Sequence, residues 1–492
     1  MSHAKRAATA ALAGVLVAAP LAQAQSGTNQ LFLPGVQRSY NPNTRPPGSI
    51  VDRVVNVPYV PGLLGGSGGI AKLPEMALFW YGEVRGDSNY TDVRIASADT
   101  SLVVYVASFD RANWYDPTPS TADLTQWDSV TVYLDTAGRA NGLSGTSYRF
   151  TAQLNNGGVV SEAGKRAQQG AGGAWTTVNA PFTANAAWRG GRVNDNTLDR
   201  GFVIWFNIPY ASLGLSGRPA DGSTAWALAS VTHDRDNGGP VGDSAWPDGF
   251  TPTSPARWGV LRWGLPGYTP APSQPGGSVT LRHKLNGLVV QDADVGGVAA
   301  NQCSGDENFI WNSWGDTNYG SDPNLNIQNQ SDVADWPCFS RTYFSFPLDQ
   351  VPAGKVIRRA TLTLHQFGGS GTASNGQPGA DAYIQVFSLS EGFSEGNVTW
   401  NNGPLAAENW GGIWVGQVVG CGAAGGIAWP CIPRVWDVSG LVARAYVAGQ
   451  PARMALYSGD SDYSTGKYFT SSQVNDWNAA GRPTLVVEWG NP

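Results

Sequence analysis

The feature that most constrains this chain is a pattern of short apolar runs with a period of two, each ended by Gly, Pro, Asn or Asp. SLVVYVASFD from Ser101, DSVTVYLDT from Asp128, SYRFTAQL from Ser147, RGFVIWFNIPY from Arg200, AWALASVTHD from Ala225 and ARWGVLRW from Ala256 all follow it. Alternation sends successive side chains to opposite faces of a strand. In DSVTVYLDT, Val130, Val132 and Leu134 share one face, and Thr131, Tyr133 and Asp135 the other, directed to solvent or to a second layer. The pattern returns in VTLRHKL from Val279, RTYFSFPL from Arg341, ATLTLHQF from Ala360, AYIQVFSL from Ala382, ARMALYS from Ala452 and TLVVEW from Thr484. With 63 Gly and 32 Pro in 492 residues, turns are plentiful and long helices are disfavoured. Only VWDVSGLVARAYVAG from Val435 has helical spacing, with Val438, Leu441, Val442 and Tyr446 on one side.

The expected fold is all-β: two β-sandwich, jelly-roll-like domains joined by a Pro/Gly-rich linker. GLPGYTPAPSQPGGS, from Gly264 to Ser278, has no periodic apolar residues and reads as that linker. The expected boundaries are a sandwich at 71–264, linker at 265–278 and a second sandwich at 279–492. Residues 25–70, rich in Gly, Pro and Asn, read as an irregular lead-in. Lys5 and Arg6 precede an apolar run from Ala7 to Leu21, then Ala22, Gln23 and Ala24. That is the layout of a secretory signal peptide over 1–24, so the mature protein is expected to be secreted and extracellular.

The net charge of −6 comes with no Lys/Arg-rich run, which argues against nucleic acid as a partner. No later segment approaches the roughly 20 apolar residues of a membrane span, so no membrane insertion is expected. The four cysteines Cys303, Cys338, Cys421 and Cys431 allow three pairings, and an exported chain favours disulfides. Pairing of sequence neighbours, Cys303 with Cys338 and Cys421 with Cys431, is the expectation. Zinc competes poorly, since there is no CxxC spacing and no flanking histidine.

Sugars present C–H faces that stack on rings and hydroxyls that need polar partners. The stretch RANWYDPTPSTADLTQWD, from Arg111 to Asp128, places Trp114, Tyr115 and Trp127 among acidic residues at one sandwich end. THDRDNGGP, from Thr232 to Pro240, follows a strand and offers His233 and Asp234, with Trp246 beyond. A catalytic role lacks an HExxH, GxSxG or triad signature. Asp234 and Asp236 also suit calcium, although the DxDxDG pattern is absent. The plain reading is a turn in which Arg235 pairs with a neighbouring carboxylate. In the second half Asp316, Asn318 and Asp322 form another candidate Ca2+ site, or simply a turn.

In that half, NYG at Asn318, RTYFSFPLDQVPAGKVIRRATLTL from Arg341, EGNVTWNNGP from Glu395, VWDVSGLV from Val435 and GRPTLVVEW from Gly481 resemble the DNRLRE-type domain. This group includes carbohydrate-binding module family 96. The resemblance implies a β-sandwich of secreted proteins, often attached to polysaccharide-active enzymes. Within EGNVTWNN, Val398 and Trp400 are read as inward-facing, with Thr399, Asn401 and Asn402 holding a turn and Arg341 anchoring a loop. In the first half, FWYGEVRGDSNYTDVRIASADTSLVVYVASFD from Phe79 and QWDSVTVYLDTAG from Gln126 resemble a family 9 carbohydrate-binding or DOMON-like sandwich. That resemblance implies sugar clasped by Trp127 and Trp246, with Thr131 standing where the family has an acidic residue.

The function expected is therefore a secreted, non-catalytic protein that binds polysaccharide or a cell-surface glycan through loop-end aromatics and polar residues. A polysaccharide lyase or glycoside hydrolase, and a structural component of an extracellular matrix or cell surface layer, are the alternatives.

Overall fold

A computed structural model describes residues 52–63, 71–119, 123–236, 242–297, 306–330, 333, 336–369, 379–462 and 464–492. The signal-peptide reading and most of the lead-in lie outside these residues. Every alternating run named above contains or forms a strand. The helical spacing after Val435 resolves into a strand, Ile432–Asp437, and a helix, Ser439–Val447, which buries Leu441 and Val442.

Two sandwiches are built from three sheets. The strands Ala77–Arg85, Ser88–Ser97, Ser101–Phe109, Asp199–Pro209, Thr183–Gly190 and Gly158–Val159 make one face of the first sandwich. Its other face is part of a 13-stranded sheet containing Gly259–Trp263, Trp226–Asp234, Ser129–Asp135 and Ser147–Gln153. Val130, Val132 and Leu134 enter the core between these faces, as their alternation requires. The same large sheet continues into the second half through Ala406–Val415, Ala382–Leu389, Ala452–Ser458, Ser340–Phe346 and Gln291–Gly296. A third sheet, with Gln274–Arg282, Thr484–Asn491, Val356–Gly369, Lys467–Thr470 and Asn324–Ile327, closes the second sandwich.

The lead-in and linker differ from expectation in a way that matters. Val54–Val57, expected to be irregular, is a strand parallel to Gly259–Trp263 that also meets Ala406–Val415, with Val54 opposite Glu408. It carries the large sheet across both halves. Four residues give too short a run for periodicity to register, and this strand is buried on both faces, so it shows no alternation. Asn56 supplies what the short ladder lacks. Its backbone N–H donates to Asn409 Oδ1 at 2.7 Å, while Asn409 Nδ2 donates to the Asn56 carbonyl at 2.9 Å. The expected linker is irregular only to Ser273. From Gln274 it is strand, paired antiparallel with Thr484–Asn491, because an edge strand needs a partner ladder more than apolar side chains.

The halves also share a core. In FWY, Phe79 and Tyr81 face the first sandwich, whereas Trp80 points the other way, against Phe387 at 5.1 Å and Tyr457 at 5.8 Å. Arg341 is central to this seam and only 1% exposed. It lies 4.1 Å from the Trp400 ring centroid and 4.7 Å from that of Trp80, and it donates to the hydroxyls of Tyr343 and Tyr90 and to the Trp400 carbonyl. Val398 and Trp400 are buried, and Thr399 N–H donates to Asn402 Oδ1, as the turn reading expects. Asn401 does more than hold the turn. It bonds both N–H and C=O of Val84 in the other half.

Candidate functional site

The Ser101–Phe109 strand ends at Asp110, the Ser129–Asp135 strand begins after Asp128, and Trp226–Asp234 ends in the acid itself. The first strand belongs to one sheet and the other two to the facing one, so the carboxylates close the sandwich end from both layers. Asp110, Asp234 and Asp236 each place an oxygen within 4.8 Å of the others. Asp128 serves as a clamp. Its Oδ1 accepts from the backbone of Arg235 at 2.8 Å and its Oδ2 from that of Trp114 at 2.5 Å, binding the two loops together.

Burial and crowding dominate the electrostatics. Asp110 and Asp128 titrate well above the ordinary carboxylate range, first because burial disfavours their charge and then because neighbouring aspartates repel it. Burial, followed by Asp236, pushes Asp234 up to about 7. Burial raises Asp236 as well, with Arg111 acting against it. Asp243 behaves differently: burial would raise it, but the His233 ring and Arg235 outweigh that and hold it at about 2.

The cluster fits a hard cation on its own geometry. Asp234 is 5% exposed, yet its Oδ1 has no partner among the described residues, and neither has Asp236 Oδ1. Buried acceptors left unpaired are costly, and three carboxylate oxygens at this spacing form part of the six to eight that Ca2+ takes. Among the described residues this is the one group of three or more acidic, His or Cys side chains brought so close.

Other sequence-derived site residues fall in several places. Trp114, Tyr115 and Trp127 are half-buried around this end, on loops held by the Asp128 clamp and by Tyr115 N–H donating to Asn194 Oδ1 at 2.7 Å. His233 and Asp234 are buried. His233 Nε2 lies 3.1 Å from Thr131 Oγ1, and its Nδ1 lies 3.1 Å from Asp243, so the ring faces protein. Arg235 pairs with Asp243 at 2.7 Å, as the plain reading of the loop has it; residues 237–241 lie outside the described residues.

Trp246 corrects the expectation of a sugar-stacking ring. It is 1% exposed and packs 4.4 Å from Phe79 by ring centroids. The absence of a side chain at Gly259 makes room for it: a Cβ there would come within 2.3 Å of the indole. The alternation of the Gly242–Trp246 strand, paired with Trp226–Asp234, turns this residue inward. The loop set Asp316, Asn318 and Asp322 is also occupied by protein contacts. Asp316 pairs with Arg85 at 2.7 Å, Asn318 Nδ2 donates to the carbonyls of Glu395 and Val398, and Asp322 Oδ1 accepts from Asn324 N–H. The Cys421–Cys431 disulfide is formed, with Cα atoms 5.7 Å apart. Cys303, the expected partner of Cys338, lies outside the described residues.

Sequence reasoning missed two features. A polar cleft of about 490 Å³ runs along the seam, lined by Arg85, Asp87 and Arg111 from one half and Trp311, Asn312 and Asp316 from the other. An aromatic cleft lies in the second half, where Trp477 is 65% and Trp429 41% exposed. Both tryptophans stand in polar, Gly- or Asn-containing stretches, CGAAGGIAWPC and SSQVNDWNAAG, away from any alternating run. That placement was the available signal.

Comparison with known proteins completes the picture. Residues 300–415 match carbohydrate-binding module family 96. No curated protein matches the sequence. Two solved structures similar to this chain are of a family 9 carbohydrate-binding module from Caldicellulosiruptor kristjanssonii. The one in complex with cellotriose has a TM-score of 0.30 and 15% identity, covering 45% of this chain and 100% of the module. The one in complex with glucose has a TM-score of 0.29 and 15% identity, covering 44% of this chain and 98% of the module. The chain is thus similar to carbohydrate-binding modules, with the family 96 match falling within its second half.

Proposed function

We propose that this chain is an exported, non-catalytic protein that binds polysaccharide or a cell-surface glycan, with Ca2+ organising the loop end of its first sandwich. The observation that carries the reading is the match of residues 300–415 to a carbohydrate-binding family. The geometry supports it. Trp114, Tyr115 and Trp127 sit half-exposed on clamped loops, so a saccharide ring can be met without first ordering the protein. At the same sandwich end Asp110, Asp128 and Asp234 are buried and Asp236 is half-buried, which suits a cation better than acids flanking a substrate groove. In the calcium reading Asp110, Asp234 and Asp236 hold the ion, Asp128 positions the loops, and Asp316, Asn318 and Asp322 serve the turn.

The test is co-sedimentation of the mature chain with a panel of insoluble polysaccharides, with and without chelator, followed by assay for new reducing ends and unsaturated sugars. Retention on at least one polysaccharide, weakened by Trp127→Ala and by chelator, without product release, is expected. Release of sugar products would overturn the non-catalytic reading. Failure to bind any member of the panel would overturn the glycan reading.

A further inference from the structure

We infer that the second sandwich has its own saccharide site, the cleft lined by Trp429 and Trp477, and that it takes an uncharged polysaccharide chain. This rests on the glycan-binding reading above and names a site and ligand class for it.

The cleft encloses about 350 Å³. This is near the lower end of the roughly 300–1,000 Å³ usual for small-ligand sites, enough for a short stretch of sugar and no more. Its two indoles touch edge to face, with centroids 5.2 Å apart at an interplanar angle of 88°, and so brace each other in one continuous aromatic surface. Rings left bare in this way expose apolar area that a sugar's C–H face can cover.

Both indoles are held by built structure. Trp429 stands in the loop closed by the Cys421–Cys431 disulfide, backed by Phe367 at 5.9 Å. Gly422, at φ +73°, lets the ring lie against the loop, since a Cβ there would fall 2.4 Å from Trp429 Nε1. Trp477 belongs to the short 3-10 segment Asp476–Gly481. Arg482 pins this segment by pairing with Asp476 at 2.5 Å and donating to the Val474 carbonyl at 2.7 Å.

The polar lining settles the ligand class. Asn324, Gln473 and Asn475 supply amides, and among the described residues no charged side chain lines the cleft. The nearest acid on the segment, Asp476, is already paired with Arg482 and Lys284. Sugar hydroxyls pair with such amides, whereas an anionic uronate or sulfated chain would find no cation among the described lining residues. Phe367, Asn324 and Thr470 all lie on strands of the third sheet, which contains no strand from the first half. The site therefore belongs to the second sandwich alone.

Affinity electrophoresis of the mature chain tests this, using gels that contain xylan, galactomannan or hydroxyethylcellulose as uncharged ligands and alginate or polygalacturonate as anionic ones. Retardation by at least one uncharged polysaccharide is expected. Trp477→Ala should weaken its Kd at least tenfold, equivalent to about 1.4 kcal/mol. Trp477→Tyr should recover part of that loss, and Trp127→Ala should leave the remaining retardation sensitive to Trp477→Ala. Because Trp477 is largely exposed, an unchanged unfolding midpoint will show that the variant is folded. Retardation unaffected by both Trp477→Ala and Trp429→Ala would overturn the cleft while leaving the glycan reading intact. Retardation only by anionic polysaccharides, lost in Trp477→Ala, would overturn the ligand class. No retardation by any polysaccharide would overturn the glycan reading and the cleft with it.

Discussion

Replacing Arg341 with methionine should destabilise the protein by about 3–5 kcal/mol, because it leaves three buried acceptors without their donor. The arginine donates to Tyr343 Oη at 2.8 Å, Tyr90 Oη at 2.6 Å and the Trp400 carbonyl at 3.0 Å. Three bonds from a charged donor, at roughly 1.5–3 kcal/mol each, set an upper range that the variant does not reach in full. Tyr90 still donates to Asp92 Oδ1 at 2.7 Å, and the methionine sulfur can contact the indoles that held the guanidinium. Among the described residues no acid pairs with Arg341 directly. Asp92 acts through its tyrosine donors, Tyr90 and Tyr457, so deletion of the arginine strands no bare carboxylate. Scanning calorimetry should show the midpoint falling by about 4 °C, because a cooperative unit of this size has a large unfolding entropy, with Arg341→Lys intermediate because it keeps the charge and loses the planar fork. Limited proteolysis between Gly264 and Ser273 should accelerate in step. A methionine variant that melts at or above the wild-type temperature would refute this account and show the seam to be held by apolar packing alone.

Calcium should raise the unfolding midpoint, by an amount equivalent to about 2.7 kcal/mol at a hundred times its Kd. Asp234→Asn should remove that response; a calcium-independent midpoint in the wild type, measured after exhaustive chelation, would refute the site. Stability should fall as pH rises from about 4 to about 7, because buried Asp292 and Asp460 keep their protons in the folded chain up to about 7 and about 6 while the unfolded chain has lost them. Asp292 alone accounts for up to about 4 kcal/mol of that fall, and Asp292→Asn should flatten the pH profile of the midpoint. Trp246→Ala should cost about 3–5 kcal/mol by emptying its place beside Phe79. It should have no effect on glycan affinity in the folded fraction, in contrast to Trp127→Ala, as paired calorimetry and binding isotherms will show.

Strands were legible wherever one face meets solvent or a distinct layer, as in Val130, Val132 and Leu134. They were illegible where both faces are covered, as at Val54–Val57, or where pairing alone defines them, as at Gln274–Ser278. The same limit applies to the sites. Asp110 and Asp234 are 124 positions apart in sequence, and nothing local to either announces the other; only the facing of two sheets brings them together. Trp246 and Trp127 look alike on paper, each beside acidic residues, but Trp246 ends a strand whose alternation turns it inward, whereas Trp127 stands in the bend before one. Trp429 and Trp477 could have been picked out as indoles with no strand to bury them.

Because Val54–Val57 lies between Gly259–Trp263 and Ala406–Val415, neither half is a detachable cassette. An excised second half would bare the backbone amides of Ala406–Val415 and the apolar flank that Trp80 now covers. Raw edges of this kind recruit other chains, so such a fragment should clump. A gene rearrangement that shuffles only one half would carry that liability with it, and fusions meant to transfer binding should keep residues 52–492 together.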